Sequence, residues 1–320
     1  MDINILISNL TNPPLLYFAL GTLAVMVKSD LAIPENSMKF ISLYLLFAIG
    51  FKGGQELAYG GIDGEVLRGL VFGLLISAII PIYVFFMLRR RLSAEDAGAV
   101  AASYGSVSAV TFVTAASFLE ALKVNFGGHM VAVMALMESP AIISGVVLMR
   151  LYSQKSNGEE RLSTIVRHSF TNGSVLMILG SLVIGFLSDP QQAQGIKPFT
   201  NDIFKGFLAI FLLEMGMLTA RRLGSFRKYG FYLTAFAVLL PLFNGVMVAL
   251  LSGFITAVPG DRMMFAVLAA SASYIAVPAA MKIAAPTADP GLYIPMSLGI
   301  TFPVNITIGL PLYMAVVAHT

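Results

Sequence analysis

Ten stretches of about 20 mainly apolar residues follow one another along this chain, each long enough for a helix to cross the roughly 30 Å hydrocarbon core of a bilayer. They run over roughly 13–32, 38–58, 66–88, 97–119, 129–150, 170–188, 199–219, 229–255, 262–284 and 293–318. The links between them are short and hold most of the charges. Several stretches contain Gly, Pro or Ser, which membrane helices accept where neighbours satisfy the freed backbone groups. Of 320 residues, 57% are hydrophobic and only 12% are charged, against about 25% charged in a soluble domain. A soluble chain of this length could not bury so much apolar surface. The pattern excludes a disordered chain, a nucleic-acid binder and most soluble enzymes. It predicts an all-α integral membrane protein. With no cysteine there is no disulfide framework and no thiolate metal site, and the spacing of His129, His168 and His319 makes no metal cage. The opening residues MDINILISNL lack the basic region and cleavage site of a signal peptide.

Loop charge predicts the orientation. Arg89, Arg90 and Arg91, then Arg150, Lys155, Arg161 and Arg167, then Arg221, Arg222, Arg227 and Lys228 fall in the links after spans 3, 5 and 7. With Lys28, Lys39 and Lys282, that side holds fourteen of the twenty basic residues. It is expected to be cytoplasmic, with both termini outside.

The chain also repeats itself at half length. Leu20-Gly21-Thr22-Leu23 returns as Leu179-Gly180-Ser181-Leu182, and Ser29-Asp30 as Ser188-Asp189. Pro81 matches Pro241, Ser106-x-x-Ala109-Val110 matches Ser273-x-x-Ala276-Val277, and Pro140 matches Pro303. The matches keep their order at an offset of about 159–167 residues. An odd number of spans in each half makes the halves cross the membrane in opposite senses, as in secondary transporters. The expected organisation is a first five-helix repeat over 1–150, a short cytoplasmic link over 151–169, and a second, inverted repeat over 170–320.

Spans 4 and 9 mix small residues, hydroxyls and helix breakers at mid-depth, and are expected to be broken helices. A helix that restarts inside the membrane presents free N–H groups and the positive end of its dipole. Two such ends make an anion site that needs no Arg or Lys. Hydroxyls both donate and accept, which suits an oxyanion that carries a proton. The candidate substrate residues are Ser106, Val107, Ser108 and Thr111 with Ser271, Ser273 and Tyr274. Small residues also let helices pack closely, which is the competing reason for such a pattern.

Two acids fall inside apolar stretches, Glu138 and Glu214. Carboxylates at membrane depth face a partner or an aqueous path. Glu138 precedes Ser139 and Pro140, so carboxylate, hydroxyl and loosened carbonyl oxygens come together, the ligands a hard cation prefers. Asn305 lies in the equivalent part of span 10. Glu138, Ser139 and Asn305 are the candidate Na+ ligands, with Glu138 alternatively a proton carrier. Glu214 is read as a brace towards Arg221.

The stretches IPENSMKFISLYLLFAIGFKGG (33–54), ASYGSVSAVTF (102–112), ALMESPAIISGVVL (135–148), LLEMGM (212–217) and the long run over 269–312 resemble the sodium-dependent bicarbonate transporters first known from cyanobacteria. The resemblance covers most of the chain. It implies ten transmembrane helices in two inverted five-helix repeats, bicarbonate between broken helices 4 and 9, and Na+ as the coupling ion. It further implies a place in the cell inner membrane among lipid, and a homo-oligomer, often a trimer. The best-known members bind a small PII-like regulator through a longer central link, and the link here is short. The chain departs from the family's pattern at Tyr274, where an acid is expected, at Val277-Pro278-Ala279 for Gly-Pro-Pro, and at Glu138-Ser139-Pro140 for Asp-Ile-Pro. The expected function is import of bicarbonate with sodium by alternating access. Carriage of another small oxyanion or carboxylate, and Na+/H+ exchange, are the alternatives on the same scaffold. An enzyme is not expected, because the spans hold no convincing acid–base pair.

Overall fold

A computed structural model describes residues 12–61, 63–153, 173–226 and 230–320, together with Arg167 and Thr171. Most of the expected 151–169 link, with Lys155 and Arg161, lies outside the described residues, as do His168, Arg227 and Lys228. Every regular element among the described residues is helical. In chain order they are α1 (Pro13–Met26), α2 (Glu35–Gly60), α3 (Gly64–Leu88), α4 (Ala94–Gly105), α5 (Ala109–Ala121), α6 (His129–Tyr152), α7 (Gly173–Leu187), α8 (Pro190–Lys197), α9 (Phe204–Phe226), α10 (Gly230–Leu251), α11 (Pro259–Ala270) and α12 (Ala276–Ala284). The last, α13 (Pro290–His319), is one run interrupted by π turns.

Six of these runs are long and apolar enough to cross a membrane: α3, α4 with α5, α6, α8 with α9, α10 with its terminal 3-10 turn, and α13. The other expected spans look different. Helices α1 and α7 are apolar but only 14 and 15 residues long. Helix α1 stops six residues before the expected boundary, where Lys28 takes left-handed backbone at φ 57°. Helix α2 has 26 residues but carries Glu35, Lys39, Lys52 and Glu56. The expected span over 262–284 is divided between α11 and α12.

The outside of the molecule is apolar in a regular way. On α3 the exposed side chains Leu67, Val71, Leu75, Ile79, Ile82 and Phe86 recur every three or four residues, which puts them on one helix face. The opposite face, with Ser77, Val84 and Phe85, is buried. A soluble protein reverses this order; a helix against lipid does not.

Close packing sorts the helices into pairs and small groups. Helix α1 lies along α9 and α2 lies along α7, while α3, α4 and α6 pack together and α10 packs on α11 and α13. Glycines set the first two contacts. A Cβ at Gly54 of α2 would lie 2.0 Å from the Leu182 carbonyl oxygen of α7, and one at Gly216 of α9 would lie 2.0 Å from that of Phe18 in α1. Without lipid-excluding force between apolar helices, such backbone contact is a main source of association.

A second symmetry lies at the starts of α4 and α11. Asp96 Oδ1 accepts the backbone N–H of Asp289, just before α13, at 2.8 Å. Asp261 Oδ1 accepts that of Gly127, just before α6, at 2.6 Å. Each of these carboxylates thus ties the third residue of one helix to the chain just before another.

Candidate functional site

The two breaks are built alike. Helix α4 ends at Gly105, whose missing Cβ leaves room for Pro81 of α3; an added Cβ would lie 2.2 Å from the proline ring. Ser106 is extended (φ −83°, ψ 172°), and Ser108 restarts the chain as the cap of α5, its Oγ accepting the Thr111 N–H at 3.2 Å. Helix α11 ends at Ala270, Ser271 is extended (φ −79°, ψ 167°), and Ser273 Oγ accepts the Val277 N–H at 3.4 Å above α12. Pro278 falls in the first turn of α12, where its missing N–H costs no intrahelical bond.

Structurally, Ser106 therefore corresponds to Ser271 and Ser108 to Ser273, an offset of 165 residues. The sequence match of Ser106 with Ser273 is two residues out of step. It holds only after the break, because the second break is two residues longer: 271–275 against 106–108. The extra length carries Tyr274 and Ile275.

The breaks are hydrogen-bonded to one another. Ser273 N–H donates to the Ser103 carbonyl at 2.8 Å, and Ser103 Oγ donates to the Ser273 carbonyl. Ser108 N–H donates to Ser271 Oγ at 3.1 Å. Ser103 also meets Ser297 Oγ of α13 at 2.8 Å. Its role was not legible in the sequence, since it lies inside α4 and looks like one more small packing residue.

A cavity of about 730 Å³ reaches this crossing. Its wall includes Val107, Ser108, Ala109 and Val110 from the start of α5, and Ser273, Tyr274, Ile275 and Ala276 from the start of α12. Both restarted helices thus turn their N-terminal ends, with N–H groups that lack intrahelical partners, to one space. Glu138 from α6 and Glu214 from α9 share the wall. The rest is largely apolar, with Leu45, Leu46, Val113 and Phe211 among its residues. At the far end the wall reaches exposed Glu35, Lys39, Gly173 and Arg221.

The expected site residues divide accordingly. Val107, Ser108, Ser273, Tyr274 and Glu138 face the cavity together. Ser106, Thr111 and Ser271 are buried behind it. Tyr274 stands edge-on to Phe302 at 6.3 Å and turns its hydroxyl to Met215 Sδ at 3.9 Å. Glu138 is 8% exposed, and neither its Oε2, nor Ser139 Oγ, nor Ser106 Oγ has a hydrogen-bond partner among the described residues. Buried oxygens without partners carry a desolvation cost that a bound cation or ligand would offset. Asn305 does not reach the cavity. Its Nδ2 donates to the Ala270 carbonyl at 2.7 Å and its Oδ1 accepts from the Tyr313 hydroxyl at 2.8 Å, so it closes the open end of α11. Asn244 does the same for Ala269, at 3.3 Å.

Helices that are apolar towards the outside, around a deep cavity lined by two helix starts and two buried carboxylates, define a multi-pass membrane protein. The chain belongs to the Na+-dependent bicarbonate transporter superfamily, whose sequence model matches residues 13–318. It is a transport protein, and not an enzyme. No curated protein matches the chain.

Proposed function

We propose that the chain is a secondary active transporter that brings bicarbonate into the cell with sodium by alternating access. The observation that carries this reading is the meeting of two helix starts on one cavity wall. Their N–H groups and dipoles suit a small anion, and Ser108 and Ser273 supply hydroxyls that suit one bearing a proton. Glu138 and Ser139 supply oxygens for the sodium ion. Asn305 then serves indirectly, by holding the end of α11 beside the second break. A filled cation site would brace α6 against the broken helices and so favour anion binding, and by linkage the anion would favour the cation.

The same reading takes ten spans in two inverted repeats, 1–150 and 170–320, joined by a cytoplasmic link. Support comes from the matched breaks, the matched Asp96 and Asp261 bonds, and the reciprocal pairing of α1 with α9 and α2 with α7. With the Arg-rich side cytoplasmic and both termini outside, the cavity opens to the cytoplasm through its Lys39 and Arg221 end.

Purified protein in detergent tests the site itself. Bicarbonate should raise the melting temperature when sodium is present and should do so much less in potassium, because ligand binding to the native state stabilises it. Equal shifts in both salts would separate the anion from sodium. A larger shift with formate or nitrate than with bicarbonate would reassign the substrate to another small oxyanion.

A further inference from the structure

The cavity has a second buried carboxylate that the reading above does not use. Glu214 lies mid-way along α9, which packs on α1 and meets the second break at the next residue, where Met215 Sδ receives the Tyr274 hydroxyl. It is 7% exposed, its Oε2 has no hydrogen-bond partner among the described residues, and it makes no ion pair there. Its neighbours on the wall from the same helix are Phe211, Met215 and Leu218. The basic side chains on the wall are Lys39 and Arg221. Lys39 is paired with Glu35 at 2.9 Å, and Arg221 is exposed at the cavity's end, two turns along α9 from Glu214. Arg221 makes no ion pair with Glu214, and its charge acts on that carboxylate from the cavity's end.

From this arrangement we propose that Glu214 is a second cation-binding residue of the transport path, taking one sodium ion on the α9 wall of the cavity. The inference rests on the cavity being that path. A carboxylate that stays ionised among apolar side chains needs a cation close by. With Glu138 also unpartnered, an entering anion would make three negative charges in one low-dielectric space, and a single sodium ion would leave two. Two sodium ions, one at each carboxylate, leave the anion to the helix starts. Glu214 has hydrophobic neighbours where Glu138 has Ser139, so the Glu214 station is the weaker of the two. The anion then passes only in company, and Glu214 makes that condition stricter.

The unchanged protein in proteoliposomes gives the first test, by counting labelled sodium against labelled bicarbonate. The expected ratio is near two, with a Hill coefficient for sodium above one. Glu214→Gln keeps the shape and should bring both towards one, while sodium-independent bicarbonate flux rises several-fold. Arg221→Gln should leave ratio and Hill coefficient unchanged. A ratio of one in the unchanged protein, or Arg221→Gln matching Glu214→Gln, overturns the second site and leaves the transport reading standing. No sodium-driven uptake at all in the unchanged protein overturns both.

Discussion

Ser106 has no exposed surface, its hydroxyl lacks a partner among the described residues, and its backbone turns from helical to extended between α4 and the cap at Ser108. A bulky apolar side chain there would fill the space behind the helix starts. Ser106→Leu is predicted to abolish bicarbonate uptake while membrane insertion, followed by immunoblot of the membrane fraction, stays normal; normal uptake would move the anion elsewhere. Glu138→Gln removes the charge and keeps the shape. It should raise the sodium concentration for half-maximal uptake at least about tenfold, equivalent to roughly 1.4 kcal/mol. At this scale the sequence was partly readable. An acid in an apolar run stands out whatever surrounds it, so Glu138, which lies buried on the cavity wall, is easily singled out. The engagement of Asn305 was not, because its partner Ala270 lies 35 residues away and only the packed chain brings them together.

Broken helices were readable as elements, from clustered Ser, Gly and Pro, but their register was not. The extra residues Tyr274 and Ile275 shift the match by two, and the hydrogen bonds that Ser108 and Ser273 accept from the helices after them reveal the shift. Helix lengths followed hydropathy closely where no special backbone intervened; Lys28 shows the exception. Gly50 and Gly54 of α2 and Gly185 of α7 act as contact points in the fold. Gly54→Leu is predicted to cost about 1–3 kcal/mol through overpacking, seen as a lower melting temperature. Gly180→Leu, at a position with open space around it, should melt close to the parent. Equal effects at the two sites would argue against the close approach of α2 and α7.

For the whole molecule, the residue matches at half length have an order in sequence but do not show which helices touch. That information is carried by contacts between halves, such as Asp96 with Asp289 and Asp261 with Gly127. Sidedness has a direct probe because the chain contains no cysteine. A single Ser42→Cys on the cavity wall should react with a membrane-impermeant thiol reagent from the cytoplasmic face. Reaction only from outside would reverse the proposed orientation. The central claim is that sodium drives bicarbonate across the membrane through this cavity. Its most direct measurement is uptake of labelled bicarbonate into proteoliposomes with an inward sodium gradient and with potassium in its place. Accumulation above equilibrium with sodium, lost when the gradient is collapsed and in Ser106→Leu, is the predicted result. The same uptake in potassium, or none in either salt, would contradict it.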